Sequence, residues 1–121
     1  MSLFDALRDE LSHLLPTLLP PEARAASVEM TGAQVTVRVY LHGGGGIERW
    51  QTLDAAIAPL VSARLPGDRW RVVVQAVRRD RPQPLDVFGV VVWMEEGTAI
   101  ASLDGKPVVD QRAVSSRPEW R

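Results

Sequence analysis

The sequence predicts an α+β fold: two helices packed on one face of a mostly antiparallel sheet of five or six strands, in the order α-β-β-α-β-β-β. Three observations lead there. Segments with strict apolar–polar alternation run together instead of alternating with helices. Apolar residues at helical spacing occur in two stretches, one near Met1 and one after the glycine run Gly43 to Gly46. With 121 residues, 45% of them hydrophobic and 24% charged, the chain has the apolar content of an ordinary globular domain and can bury a core. Residues 1–110 are expected to form a single domain. Residues 111–121, rich in Ser, Arg and Pro, are expected to be a loosely ordered tail that Trp120 could anchor.

The first helix begins with Ser2 and Asp5, a hydroxyl and a carboxylate at capping-box spacing. Leu3, Phe4, Leu7, Leu11, Leu14 and Leu15 mark its buried face, and Pro16 is expected to end it near Leu15. Ala26, Val28 and Met30 alternate with Ser27, Glu29 and Thr31, and Val35, Val37, Val39 and Leu41 alternate with Gln34, Thr36, Arg38 and Tyr40. Thr31-Gly32-Ala33 joins these two strands as a hairpin, whose polar face is expected to meet water. After the glycines, Leu53, Ile57, Leu60, Val61 and Leu65 define the second helix, with Pro59 predicting a kink or a late start. Trp70 to Val77 alternates as a third strand. Leu85 to Met94 is apolar almost throughout and reads as one central strand. Glu95-Glu96-Gly97 turns the chain into Thr98 to Leu103, and Asp104-Gly105 is a strong hairpin signal before Pro107.

Composition removes several chemistries. There is no cysteine, which excludes disulfides, thiolate catalysis and iron–sulfur ligation, and His13 and His42 are too few for a histidine-rich metal site. Metal, cofactor and catalytic residues are therefore assigned to none, and the protein is expected to act without enzymatic chemistry. The net charge of −1 gives no global attraction to nucleic acid or acidic membranes. All basic residues but Lys106 are arginine, as a GC-rich genome would give. The longest apolar run, Val87 to Met94, falls well short of the roughly 18 residues of a membrane helix. Asp5, Asp9 and Glu10 interrupt the leucines at the start, so no signal peptide and a cytoplasmic address are expected.

Four stretches could still carry function. The glycine run lacks the lysine and hydroxyl of a phosphate loop, being followed by Ile47, Glu48 and Arg49. A dinucleotide site would need a parallel βαβ unit, whereas the preceding strand is expected in a hairpin. The run is accordingly read as a hinge. Six arginines between Arg64 and Arg81 stand against Asp68 and Asp80 alone, and Trp70 lies among them. Arg69, Arg71, Arg78, Arg79 and Arg81 are thus the candidate nucleic-acid contacts, although the alternation turns Trp70 toward the core. Glu95 and Glu96 are adjacent and point apart in a strand, and Ser115 and Ser116 fall in the tail, so neither pair suggests catalysis. Finally, helices covering one sheet face would leave alternate residues of the 87–94 run on the other. Phe88, Val90, Val92, Trp93 and Met94 are the candidate interface for a homodimer or a protein partner. The leading expectation is a binding module that self-associates or takes a partner through its sheet, with a nucleic-acid-binding or ribosome-associated module as the alternative.

Val35-Thr36-Val37-Arg38-Val39-Tyr40-Leu41, followed by a glycine loop and a helix, resembles the N-terminal domain of ribosome maturation factors. The same strand–glycine–helix order resembles the NifU-type iron–sulfur scaffold domain, whose glycine-containing loop carries paired cysteines. Without cysteines, that second resemblance implies architecture and no cluster.

Overall fold

The computed structural model describes residues 2–43 and 46–108. The expected tail, Trp120, Gly44 and Gly45 lie outside the described residues. Ser2 caps the first helix, its hydroxyl accepting the Asp5 N–H at 3.1 Å. That helix, α1 (Leu3–Leu18), passes the expected stop at Pro16. Pro16 is exposed, so the hydrogen bond it cannot make is lost on the solvent side. Leu7, Leu11 and Leu15 repeat every fourth residue on the buried side and hold the final turn against the sheet.

Strands β1 (Ala23–Thr31) and β2 (Gln34–Leu41) form the expected hairpin, with Thr31 opposite Gln34 and Val28 opposite Val37. Helix α2 (Gly46–Ser62) starts directly at the glycine loop and runs through Pro59, whose missing donor falls in the last turn. Strand β3 (Arg71–Arg78) then pairs with β2 in parallel, Gln34 opposite Arg71 and Leu41 opposite Arg78. This corrects the expected antiparallel arrangement. A strand has two edges, and β2 gives one to its hairpin partner and the other to a parallel partner reached through α2. The chain from β2 through α2 to β3 is thus a βαβ unit, and a helix of 17 residues is long enough for the crossover.

The run from Leu85 to Met94 is not one strand. It breaks at Phe88-Gly89 into β4 (Leu85–Val87) and β5 (Val90–Met94), which belong to different sheets. Gly89 has φ +89°, and a Cβ there would lie 2.6 Å from the Val28 carbonyl oxygen. Only glycine lets the chain pass β1 this closely with that backbone. Strands β6 (Ile100–Leu103) and β7 (Lys106–Pro107) follow, joined by Asp104 and Gly105, both with positive φ as the two-residue turn requires.

The result is α+β, with a four-stranded mixed sheet ordered β3-β2-β1-β5 and a three-stranded sheet ordered β4-β6-β7. Both helices cover one face of the larger sheet, α1 over β1 and β5 and α2 over β3. Leu11, Leu15, Val28, Val37, Val39 and Ile57 are fully buried between them. Each such side chain contributes roughly 1.5–3 kcal/mol by leaving water.

The opposite face departs from expectation. Ser27, Thr36 and Tyr40 were expected to meet water and are buried. Leu85 and Val87 pack on Tyr40 and Ala25, with Val77, Val91 and Ile100 around them. Ser27 Oγ donates to the Phe88 carbonyl at 2.6 Å and Phe88 N–H donates to Tyr40 Oη at 3.1 Å. With the Ser27 proton engaged, the 3.3 Å contact between the two hydroxyls leaves Tyr40 as donor, which closes the circuit. Ser27 and Tyr40 thus meet the backbone of a later segment in place of solvent, and Thr36 accepts the Gln34 side-chain amide at 3.1 Å.

Candidate functional site

The C-terminal ends of the parallel strands β2 and β3 converge on the glycine loop and the start of α2. Backbone amides near a helix N-terminus favour an anion. The chain supplies its own. Gly43 N–H donates to Asp80 Oδ1 at 2.6 Å, and Arg78 holds the same carboxylate through Nε at 3.2 Å and Nη2 at 3.1 Å. The Arg78 hydrogen bond, aided by that of Gly43, keeps the Asp80 carboxyl below its usual range. Beside it, His42 Nδ1 accepts the Arg81 N–H at 2.8 Å. Arg24 is 3% exposed on β1 and donates through Nη1 to the carbonyls of Arg79 and Asp80, at 2.8 and 3.3 Å. Its Nε is buried with no hydrogen-bond partner among the described residues. Sequence reasoning missed Arg24; the available signal was a charge inside the small apolar run Ala23 to Ala26, where a charge must find partners.

The arginines divide into two groups. Arg69 and Arg71 stand at the start of β3, exposed and without an ion pair among the described residues. Arg78, Arg79 and Arg81 stand at its far end, roughly 23 Å away at about 3.3 Å per strand residue. Each of these three is engaged internally: Arg78 with Asp80, Arg79 with Asp86, and Arg81 with Glu95 at 2.9 and 2.6 Å. Arg64 bonds Glu10 at 2.6 Å and ties the end of α2 to α1. Trp70 is half-buried against the helix-side core, as its alternation predicts.

The five apolar interface candidates are not brought together either. Val92 and Trp93 both join the helix-side core, because a bulge opposite Ala26 and Ser27 turns two successive residues the same way. Phe88, Val90 and Met94 remain exposed in three separate places. Val90 shares a shallow groove with Phe4 and Met30, and Met94 lies opposite Ala25. Phe88 projects beside Arg38, whose Cζ is 5.7 Å from the ring centroid. The expectation that every second residue of one long strand would share a face fails because of Gly89 and the bulge.

Among the described residues, no strand pairs with the outer edge of β3. Arg71 N–H donates to the Ala33 carbonyl and Arg79 N–H to the Leu41 carbonyl. In a parallel ladder that pattern turns both backbone groups of Val73, Gln75 and Val77 toward β2, and those of Val72, Val74, Ala76 and Arg78 outward. Trp50 confirms the direction by donating its indole N–H to the outward Val74 carbonyl at 2.6 Å. A cleft flanks this edge on each side of the sheet. The helix-side cleft, about 610 Å³, is lined by Leu41, Gly43, Gly46, Ile47, Arg49, Trp50, Ala76 and Arg78. The opposite cleft, about 430 Å³, is lined by Arg38, Gln75, Val77, Arg79, Asp86 and Phe88, with Arg78 at the rim of both.

No protein-family model, curated protein or solved structure matches this chain. Among the described residues, no group of three or more His, Asp or Glu side chains is placed to hold a metal ion. No helix among them is long and apolar enough to cross a membrane.

Proposed function

We propose that this chain is a cytoplasmic, non-enzymatic binding module that takes a protein partner along the outer edge of β3. The observation that carries this reading is the edge itself. Its outward donors and acceptors from Val72 to Arg78 form a row of the kind an extended segment pairs with when it adds a strand to a sheet. Successive side chains of an added strand point to opposite faces. One side chain would therefore enter the cleft beside Trp50 and the next the cleft beside Phe88. Trp50 covers the edge at Val74 and restricts the pairing to the Ala76–Arg78 end.

The test starts from random heptapeptides displayed on phage and selected on the full chain. Peptides recovered in this way should shift the backbone amide resonances of Ala76 and Arg78 most. They should lose binding to Ala76→Pro, which removes an outward N–H and leaves the ladder to β2 intact. Peptides that map elsewhere, or that bind the proline variant equally well, would sink the reading. A nucleic-acid role retains one observation in its favour, the exposed Arg69 and Arg71. A retardation assay at low salt with Arg69→Glu and Arg71→Glu tests it, and no shift by wild type with DNA or RNA removes it.

A further inference from the structure

Resting on that edge-binding reading, we infer that Trp50 is an autoinhibitory latch on the β3 edge, closed in the free chain and displaced when a partner strand pairs along the whole of it. An unpaired edge rich in apolar residues invites unwanted pairing, and proteins protect such edges with charges or with a cover. β3 carries charge only at its ends, Arg71 and Arg78, and residues 72–77 between them are uncharged. Trp50 stands over the middle of that run, where its indole N–H donates to the outward Val74 carbonyl at 2.6 Å.

The indole and a partner strand exclude each other. A backbone N–H of an added strand would sit roughly 2.9 Å from the same carbonyl oxygen. The strand itself would run about 4.8 Å from β3. The indole nitrogen already holds the donor position, and the ring beyond it fills the space the added backbone needs. While the latch is closed, a partner can pair only with the Ala76–Arg78 end. Pairing at Val72 and Val74 requires the ring to leave.

The latch can open without disturbing the core. Leu53, Ile57 and Val61 are buried and anchor α2 against the sheet, whereas Trp50, one turn nearer the helix start, is 38% exposed. The ring also borders the cleft of about 610 Å³, which gives it room to move while α2 stays in place. Swinging outward breaks the Val74 bond, and water satisfies the freed indole N–H. The Val74 carbonyl then takes its donor from the incoming strand, so the exchange leaves no group unpaired. A fixed wall of the cleft makes the opposite prediction, because removing its contact to the edge would bring no gain in affinity.

The probe is the phage-selected heptapeptide, fluorescein-labelled and titrated into the full chain by anisotropy. Trp50→Phe keeps a ring on α2 and removes the donor. It should bind the peptide about fivefold tighter than wild type, the equivalent of one net hydrogen bond that no longer has to be broken. The amide shifts of the complex should spread from Ala76 and Arg78 in wild type to Val72 and Val74 in the variant. Its thermal midpoint should stay within a few degrees, since Trp50 is not buried. In free wild type, the Trp50 indole N–H should exchange with water more slowly than a fully exposed indole. Equal or weaker binding by Trp50→Phe, with Ala76→Pro still abolishing it, would overturn the latch and leave the edge reading standing. An indole N–H that exchanges freely would overturn the latch as well. Binding that survives Ala76→Pro, or a selection that recovers no peptide, would overturn the edge reading and the latch with it.

Discussion

The two faces of the four-stranded sheet are built on different physics. The helix side is held by apolar packing, with Leu7, Leu11, Val28, Val37, Val39 and Ile57 buried in one cluster. Among the described residues, the opposite side has a smaller cluster, Ala25, Tyr40, Leu85 and Val87, with Val77, Val91 and Ile100 partly buried against it. Hydrogen bonds add further order there, the Ser27–Phe88–Tyr40 circuit and the links of Arg24 and Gly43 to the loop after β3. Non-directional burial tolerates imperfect geometry. A sparse polar network does not, since a broken member leaves a buried group unsatisfied. The first face should therefore set global stability, and the second should control local order of residues 79–104 beside the binding edge.

The largest effect should come from the helix side. Leu11→Ala empties a fully buried position and should cost about 2–5 kcal/mol, read from the urea midpoint by circular dichroism. An effect under about 1 kcal/mol would mean that α1 is not packed on this core. Gly89→Ala comes next, at about 2–3 kcal/mol, because the new Cβ meets the Val28 carbonyl and the backbone has positive φ. Its hydrogen-exchange signature should fall on residues 85–104 more than on α2.

Tyr40→Phe removes the hydroxyl that accepts from Phe88 N–H. It should cost about 1–2 kcal/mol, the range for a part-buried donor left without a partner. Faster exchange confined to 85–91 would agree with the two-face division. Equal loosening of both helices would break it.

The smallest expected effect is that of acid. Asp80 is held low first by Arg78, Asp86 first by Ser102 and then by Arg79, and Glu95 first by Arg81. Each has a folded pKa below its unfolded one. Their contribution is thus complete above the ordinary carboxylate range and is lost as pH falls through the folded values. Stability should be level from neutrality down to about pH 5 and decline below about pH 4, with Asp86→Asn flattening the decline. All three are solvent-accessible, so the change is small, and loosening should appear first in residues 80–104.

This division also explains what could be read from the sequence. The helix-side face was legible because its determinants are local. Val35, Val37, Val39 and Leu41 alternate, Leu7, Leu11 and Leu15 repeat every fourth residue, and Ser2 announces a cap. The opposite face was not legible, since Ser27 and Tyr40 look like solvent-facing residues until a segment some 50–60 positions later is placed over them. Pairing of β2 with β3 is likewise invisible to periodicity, which reports faces and not neighbours. The candidate site suffered most. The arginine cluster was visible as composition, but its division between two ends of β3 and its internal pairing with Asp80, Asp86 and Glu95 depend on tertiary geometry. Ala76, the residue on which the proposed edge turns, has no chemical feature that sequence could single out.

Among the described residues β3 pairs with β2 alone, which leaves its other edge for a partner. Residue-resolved amide hydrogen exchange on the full chain tests it directly. The amides of Val73, Gln75, Val77 and Arg79, which face β2, should exchange slowly, and those of Val72, Val74, Ala76 and Arg78 should exchange far faster, in strict alternation. Uniform protection of all eight would contradict the account, because it would mean that the edge is already occupied in the free protein.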